Sequence, residues 1–134
     1  MAGNYNKQHD GANYYAIIKG EILLEEREDE NKYLDNLKSL IEALLGPRKD
    51  GISSSQLRNI YSKVKTLKKP KELYLLRPKL AYIHGRPNSK GGMKKLIDYL
   101  DEQIKKVKNE SELKQFQNFF ESVIAYHKYL GGKD

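Results

Sequence analysis

Apolar residues follow helical spacing in each periodic segment of this chain, and nowhere do five or more residues alternate convincingly between apolar and polar. A chain patterned this way buries its apolar stripes by packing helix on helix. The expected fold class is therefore all-α, a compact bundle of five to six helices joined by short connections. With 134 residues, of which 38% are hydrophobic, the chain has material for one modest core and not for two. The expected organisation is a loose, structureless N-terminal arm over residues 1–13, rich in Asn, Gly and Gln, followed by a single helical domain over residues 14–134.

From about Tyr14 to Leu45 the apolar positions Ile17, Ile18, Ile22, Leu34, Leu37, Leu40, Ile41, Leu44 and Leu45 predict one long helix or two, interrupted by the acidic run Glu25 to Glu30. Gly46-Pro47 supplies a stop, and Asp50-Gly51 a turn. Ser53-Ser54-Ser55-Gln56 has the form of a capping box opening the next helix. In that helix Leu57, Ile60, Tyr61, Val64 and Leu67 form one stripe, while Arg58, Ser62, Lys65 and Lys69 form another. Pro70 begins a third helix carrying Leu73, Leu76, Leu80 and Ile83, with Pro78 as a kink; periodicity alone leaves open a short strand around Leu73 to Leu76. The stretch Asn88-Ser89-Lys90-Gly91-Gly92 has the composition of a flexible loop. A fourth helix starts near Met93. A fifth starts after Asn109 or Ser111, with a seam at Leu113, Phe116, Phe120, Val123, His127 and Leu130 that steps alternately by three and four residues.

Charge is distributed unevenly along this pattern. Residues 1–50 hold 7 Lys/Arg against 10 Asp/Glu and residues 96–134 hold 6 against 7, whereas residues 51–95 hold 12 against a single acid, Glu72. Such a density repels itself unless an anionic partner neutralises it, so the middle third of the chain is the expected polyanion-binding surface. The solvated-face alternative explains exposed lysines but not the absence of interspersed acids. Tyr61, Tyr74 and Tyr82 lie among these charges, where an exposed ring would stack on a base and a buried one would be core.

Other chemistries find little support. There are no cysteines, which excludes disulfides, thiolate metal sites and a cysteine nucleophile. His9, His84 and His127 are far apart, and none has a second histidine or a carboxylate at i+3 or i+4 to complete a metal pair, so neither a metal nor another cofactor is expected. His84, near a helix end, is suited to last-turn carbonyls or a phosphate; His127, in the apolar seam, reads as a packed residue. Asp98, Asp101 and Glu102 have the spacing of a solvated helix face. The glycine-rich stretch from Gly85 to Gly92 lacks the Gly-Lys-Ser/Thr order of a phosphate-binding loop. With no long apolar run and no signal-like start, a cytoplasmic protein that does not engage a membrane is expected.

Three ordered blocks carry a family likeness. Ile52-Ser53-Ser54-Ser55-Gln56-Leu57-Arg58-Asn59, then Leu76-Arg77-Pro78-Lys79-Leu80-Ala81-Tyr82-Ile83-His84-Gly85-Arg86, then Phe116 through Lys128 resemble the small subunit of the type III-A CRISPR effector, the Csm complex. The resemblance implies a non-catalytic helical protein present in several copies, stacked beside backbone and large subunits and touching the duplex of crRNA and target RNA. It makes Arg58, Arg77, Lys79 and Arg86 candidate RNA contacts, while Lys65, Lys69 and Lys90 are candidates on the charge argument alone. Two alternatives from other classes stand beside it: a metal-independent RNase using His84 or His127, and a protein–protein adaptor whose basic face meets an acidic partner.

Overall fold

In chain order the elements of the computed structural model, which describes residues 10–133, are α1 (Asp10–Ile18), α2 (Glu30–Leu45), α3 (Ser54–Val64), α4 (Pro70–Tyr74), α5 (Arg77–His84), α6 (Gly91–Lys106) and α7 (Glu110–Tyr129). No strand occurs among the described residues. Since α4 is little more than one turn, the six longer helices make the expected all-α bundle. The loose arm expected over residues 1–13 falls mostly outside the described residues; from Asp10 onward the backbone is already helical.

The helix α2 lies at the centre, packed against α1, α6 and α7, while α3 lies on α7 and α5 on α6. Leu37, Leu40 and Ile41 of α2, Leu96 and Leu100 of α6, and Phe116 and Val123 of α7 are each fully buried. Each such side chain contributes roughly 2 kcal/mol of hydrophobic stabilisation. The seam of α7 is buried from Leu113 to His127, and Phe119 joins it beyond the expected spacing. Helix starts follow the local signals: Asp29 accepts from the Lys32 amide at 3.0 Å, Ser53 from the Gln56 amide at 3.3 Å and Asn109 from the Glu112 amide at 2.8 Å.

The segment expected to form one helix or two forms two. Arg27, within the acidic run, holds the connector between them: its guanidinium donates to the Glu21 carbonyl at 2.8 Å and the Ile22 carbonyl at 2.9 Å, pairs with Glu30 at 3.1 Å and stacks 3.7 Å above the Tyr33 ring. Ile17 leaves the core stripe and is half exposed. Gln103, fully buried on α6, donates to the Tyr15 hydroxyl and the Lys19 carbonyl, and the Tyr15 ring stacks on Tyr99, which docks α1 on α6.

The expected third helix is instead two, and the segment Leu73 to Leu76 is helix and turn rather than strand. Pro78 has no N–H for the Tyr74 carbonyl and its ring would collide there, so α4 ends at Tyr74 and Pro78 falls in the first turn of α5, where no amide donor is required. Gly91 and Gly92 are not loop but the opening turn of α6. The reason is proximity: a Cβ on Gly92 would lie 2.0 Å from the Leu44 carbonyl oxygen, so α6 begins where only glycine lets it meet the end of α2.

Burial pushes the Tyr33 hydroxyl up to about 12, opposed in part by the Arg27 guanidinium on its ring. Its neutral form is thus favoured in the folded state. That stability is complete below pH 10, the unfolded value, and is lost as pH rises from 10 toward 12. The expected loss from Tyr33 approaches ~2 kcal/mol over that window. Chemical denaturation at pH 9 and pH 11 should show Tyr33→Phe losing less stability than the parent chain; an identical loss would refute the assignment.

Candidate nucleic-acid interface

The seven cations singled out in the sequence do not share one surface depression. Arg58 is exposed on α3 and lines a cleft of about 410 Å³ together with Leu57, Ile124, Lys128 and Lys133. Among the described residues that lining holds no carboxylate. Arg77 lines a second cleft, of about 620 Å³, with Tyr74, Pro78, His84, Asp98 and Asp101. Lys90 borders a third, beside Asp50 and Asn88. Lys65, Lys69, Lys79 and Arg86 line none of the three.

Electrostatics sorts the same residues. The Arg77 guanidinium grips Asp101 with two bonds, Nε to Oδ1 at 2.7 Å and a terminal nitrogen to Oδ2 at 3.2 Å, and this grip raises the arginine's pKa above its ordinary value. Lys90 Nζ donates to Asp50 at 2.7 Å, which holds that carboxyl below the usual carboxylate range. Lys65 lies 5.9 Å from the centre of the Tyr61 ring. No carboxylate pairs with the side chains of Lys69, Lys79 or Arg86 among the described residues. The one acid of the basic segment, Glu72, is turned to the backbone: it accepts from the amides of Lys68 and Lys69 at 2.8 and 3.0 Å, and these bonds lower its pKa. Among the described residues, carboxylates from elsewhere in the chain meet this segment's cations in the pairs Asp101–Arg77 and Asp50–Lys90.

Of the three interleaved tyrosines, Tyr61 packs on Phe120 at 5.5 Å between ring centres, and Tyr74 donates its hydroxyl to the Val107 carbonyl. Tyr82 alone stands out in solvent, 71% exposed.

The histidines separate as well. His127 is buried; its Nε2 donates to the Ile52 carbonyl at 2.9 Å, and its ring lies directly under Gly132. Gly131, at φ +82°, and Gly132 close α7 by returning their amides to Lys128 and His127, the C-terminal motif that seats the chain over this ring. The packed reading of His127 holds. His84 meets neither the last-turn carbonyls nor an anion site: its Nε2 is 3.3 Å from Asp98, so the carboxylate four residues beyond Lys94 takes the place expected for a phosphate. Asp98 and Asp101 together make the Arg77 cleft repellent to phosphate. Among the described residues, no three histidine or acidic side chains converge as a metal site, and no helix is long and apolar enough to cross a membrane.

Sequence reasoning missed Lys128 and Lys133 because they belong to a segment of balanced charge. They reach the Arg58 cleft only because α3 packs on α7. It also missed Gln117, whose amide donates to the carbonyls of Val64 and Leu67 and so fixes the end of α3.

Set against known families, residues 45–133 match the model described as Csm2 Type III-A, two-thirds of the chain. The chain belongs to the Csm2 family. It is thus a small subunit of the type III-A Csm complex, a member of an assembly with other subunits. The match spans α3 to α7 and all seven candidate cations, and leaves out α1 and nearly all of α2. No curated protein and no solved structure matches the chain significantly.

Proposed function

We propose that this Csm2-family chain is a non-catalytic RNA-binding subunit, present in several copies in its complex, that contacts the crRNA–target RNA duplex through phosphates. The observation that carries the reading is the charge of the segment that the family match covers: residues 51–95 hold 12 Lys/Arg against the single acid Glu72, and the fold brings Lys128 and Lys133 to the same cleft as Arg58. Lys79 and Arg86, in and just after α5, are further candidate phosphate contacts of the same basic segment. Arginine suits the task because its planar fork donates paired bonds to phosphate oxygens, and contacts of this kind follow backbone shape without reading bases. A subunit that serves any guide needs that indifference. Arg77 and Lys90, held by Asp101 and Asp50, contribute only to the extent that RNA draws them from those partners.

The test is salt dependence. If Arg58, Lys128, Lys79 and Arg86 each neutralise one phosphate, log K should fall against log salt with a slope of roughly −3, and alanine at any one should flatten it by about 0.7 to 0.9. Arg77→Ala should flatten it less. Lys105→Ala and Lys106→Ala, on the exposed end of α6, are the location controls. Binding should be measured in the assembled complex as well as with the full chain, because several copies along one RNA multiply weak contacts. Equal effects from patch and control residues would mean that overall charge, not this surface, governs binding. Affinity untouched by RNA but dependent on an acidic protein would favour the adaptor.

A further inference from the structure

Tyr82 presents a large aromatic ring to water, 71% exposed, turned away from the side of α5 that buries Leu80 and Ile83. Lys79 precedes it by three residues and Arg86 follows by four. Gly85 keeps the right-handed helical conformation past the end of α5, with the Arg86 amide bonded to the Ile83 carbonyl at 3.2 Å, so the register carries through to Arg86. At about 100° per residue these three side chains fall within roughly 60° of one another around the axis. Neither cation has a carboxylate partner among the described residues. An aromatic ring with a cation about one turn away on either side, here an exposed Arg86 and a partly buried Lys79, is the pattern by which proteins hold unpaired nucleotides: the cations take flanking phosphates and the ring takes a base.

We propose that Tyr82 is a stacking platform for an unpaired nucleobase, held in place by phosphate contacts from Lys79 and Arg86. This rests on the RNA-binding reading above and adds a preference to it. Phosphate contacts alone treat a continuous duplex and an interrupted one alike. A stacking ring favours RNA in which a base is free of its partner, because a paired base has both faces covered by its neighbours in the helix. The tyrosine is sequence-tolerant in this role, since every base offers a π-face.

The chain contains no tryptophan, so Tyr82→Trp introduces at the site a single tryptophan, excited selectively at wavelengths beyond tyrosine absorption. The full chain would be titrated with three RNAs: a continuous duplex, the same duplex with one bulged nucleotide, and that bulge made abasic. Stacking should quench the Tyr82→Trp protein with the bulged RNA and far less with the other two. In the unlabelled chain Tyr82→Ala should weaken binding of the bulged RNA by roughly tenfold with the salt slope unchanged, and Tyr82→Phe should keep the affinity. Lys79→Ala and Arg86→Ala should instead flatten the slope for all three RNAs. If Tyr82→Ala binds all three like the parent while the two cation variants weaken them, stacking is wrong and phosphate binding stands. If Tyr82→Ala spares RNA binding but blocks entry into the Csm complex, the ring is a protein contact and the proposal fails. Should none of the three variants change RNA binding, this face does not meet RNA at all.

Discussion

Gly92→Ala should destabilise the fold by about 3 kcal/mol, the upper part of the range for overpacking, and lower Tm by roughly 10 °C. The added Cβ would be 2.0 Å from the Leu44 carbonyl oxygen and 2.9 Å from its carbon, and both atoms are backbone at the end of α2. A flexible side chain could turn aside at little cost; a helix terminus cannot. Relief would require α6 to slide away from α2, and that would open the core around Leu40, Leu44, Met93 and Leu96. Gly91→Ala is the control. Nothing lies within 4 Å of a Cβ there, so that variant should melt at or slightly above the parent, alanine being the better helix former. Thermal melts of the two variants side by side decide the matter: Gly92→Ala melting with the parent would show that α2 and α6 do not meet closely.

His127→Ala is expected to cost about 3 kcal/mol, from an unfilled space beside α3 and from an Ile52 carbonyl left without its donor. His127→Phe keeps most of the ring volume and loses only the bond, so it should cost roughly half as much. The ring also supports the end of the chain: Gly132 rests on it, and the Lys133 amide donates to the Lys49 carbonyl at 2.7 Å. Because Lys133 lines the Arg58 cleft, His127→Ala should weaken RNA binding as well, whereas the phenylalanine variant should largely spare it. Denaturation and binding measured on both variants separate this from catalysis by His127. An RNA-cleaving activity that disappeared equally in both, at unchanged stability, would return the histidine to an enzymatic role.

Much of the fold was legible in the residues because the signals involved are local. The cap at Ser53 acts on an amide three residues away, and the seam of α7 is a property of one helix. The cap and the seam from Leu113 to His127 appear as the spacing predicts, and of the two starts open to α7, Asn109 and Ser111, the structure takes Asn109. Pro78 was legible as a disturbance but not as a break. Whether a proline kinks a helix or starts a new one depends on whether the surrounding core rewards continuity, and here Leu73 and Leu80 are buried from two separate short helices. The glycines at 91 and 92 were read by composition as a loop, since the feature that requires Gly92, the approach of Leu44, comes from 48 residues earlier.

The candidate site divides along the same line. By itself the sequence determined that the chain is helical, that residues 51–95 carry the excess positive charge, and which cations belong to that stretch. Only the tertiary structure decided how those charges are grouped and which acids from elsewhere meet Arg77 and Lys90. Asp101 and Asp50 reach Arg77 and Lys90 across 24 and 40 positions, Lys128 and Lys133 reach the Arg58 cleft from the far end of the chain, and Tyr82 is separated from Tyr61 and Tyr74 by its exposure alone. Helical periodicity is a relation between residues three and four apart, so it survives in a linear sequence. An ion pair depends on the distance in space between two groups, and for groups on different helices that distance is set by the packing of the whole bundle.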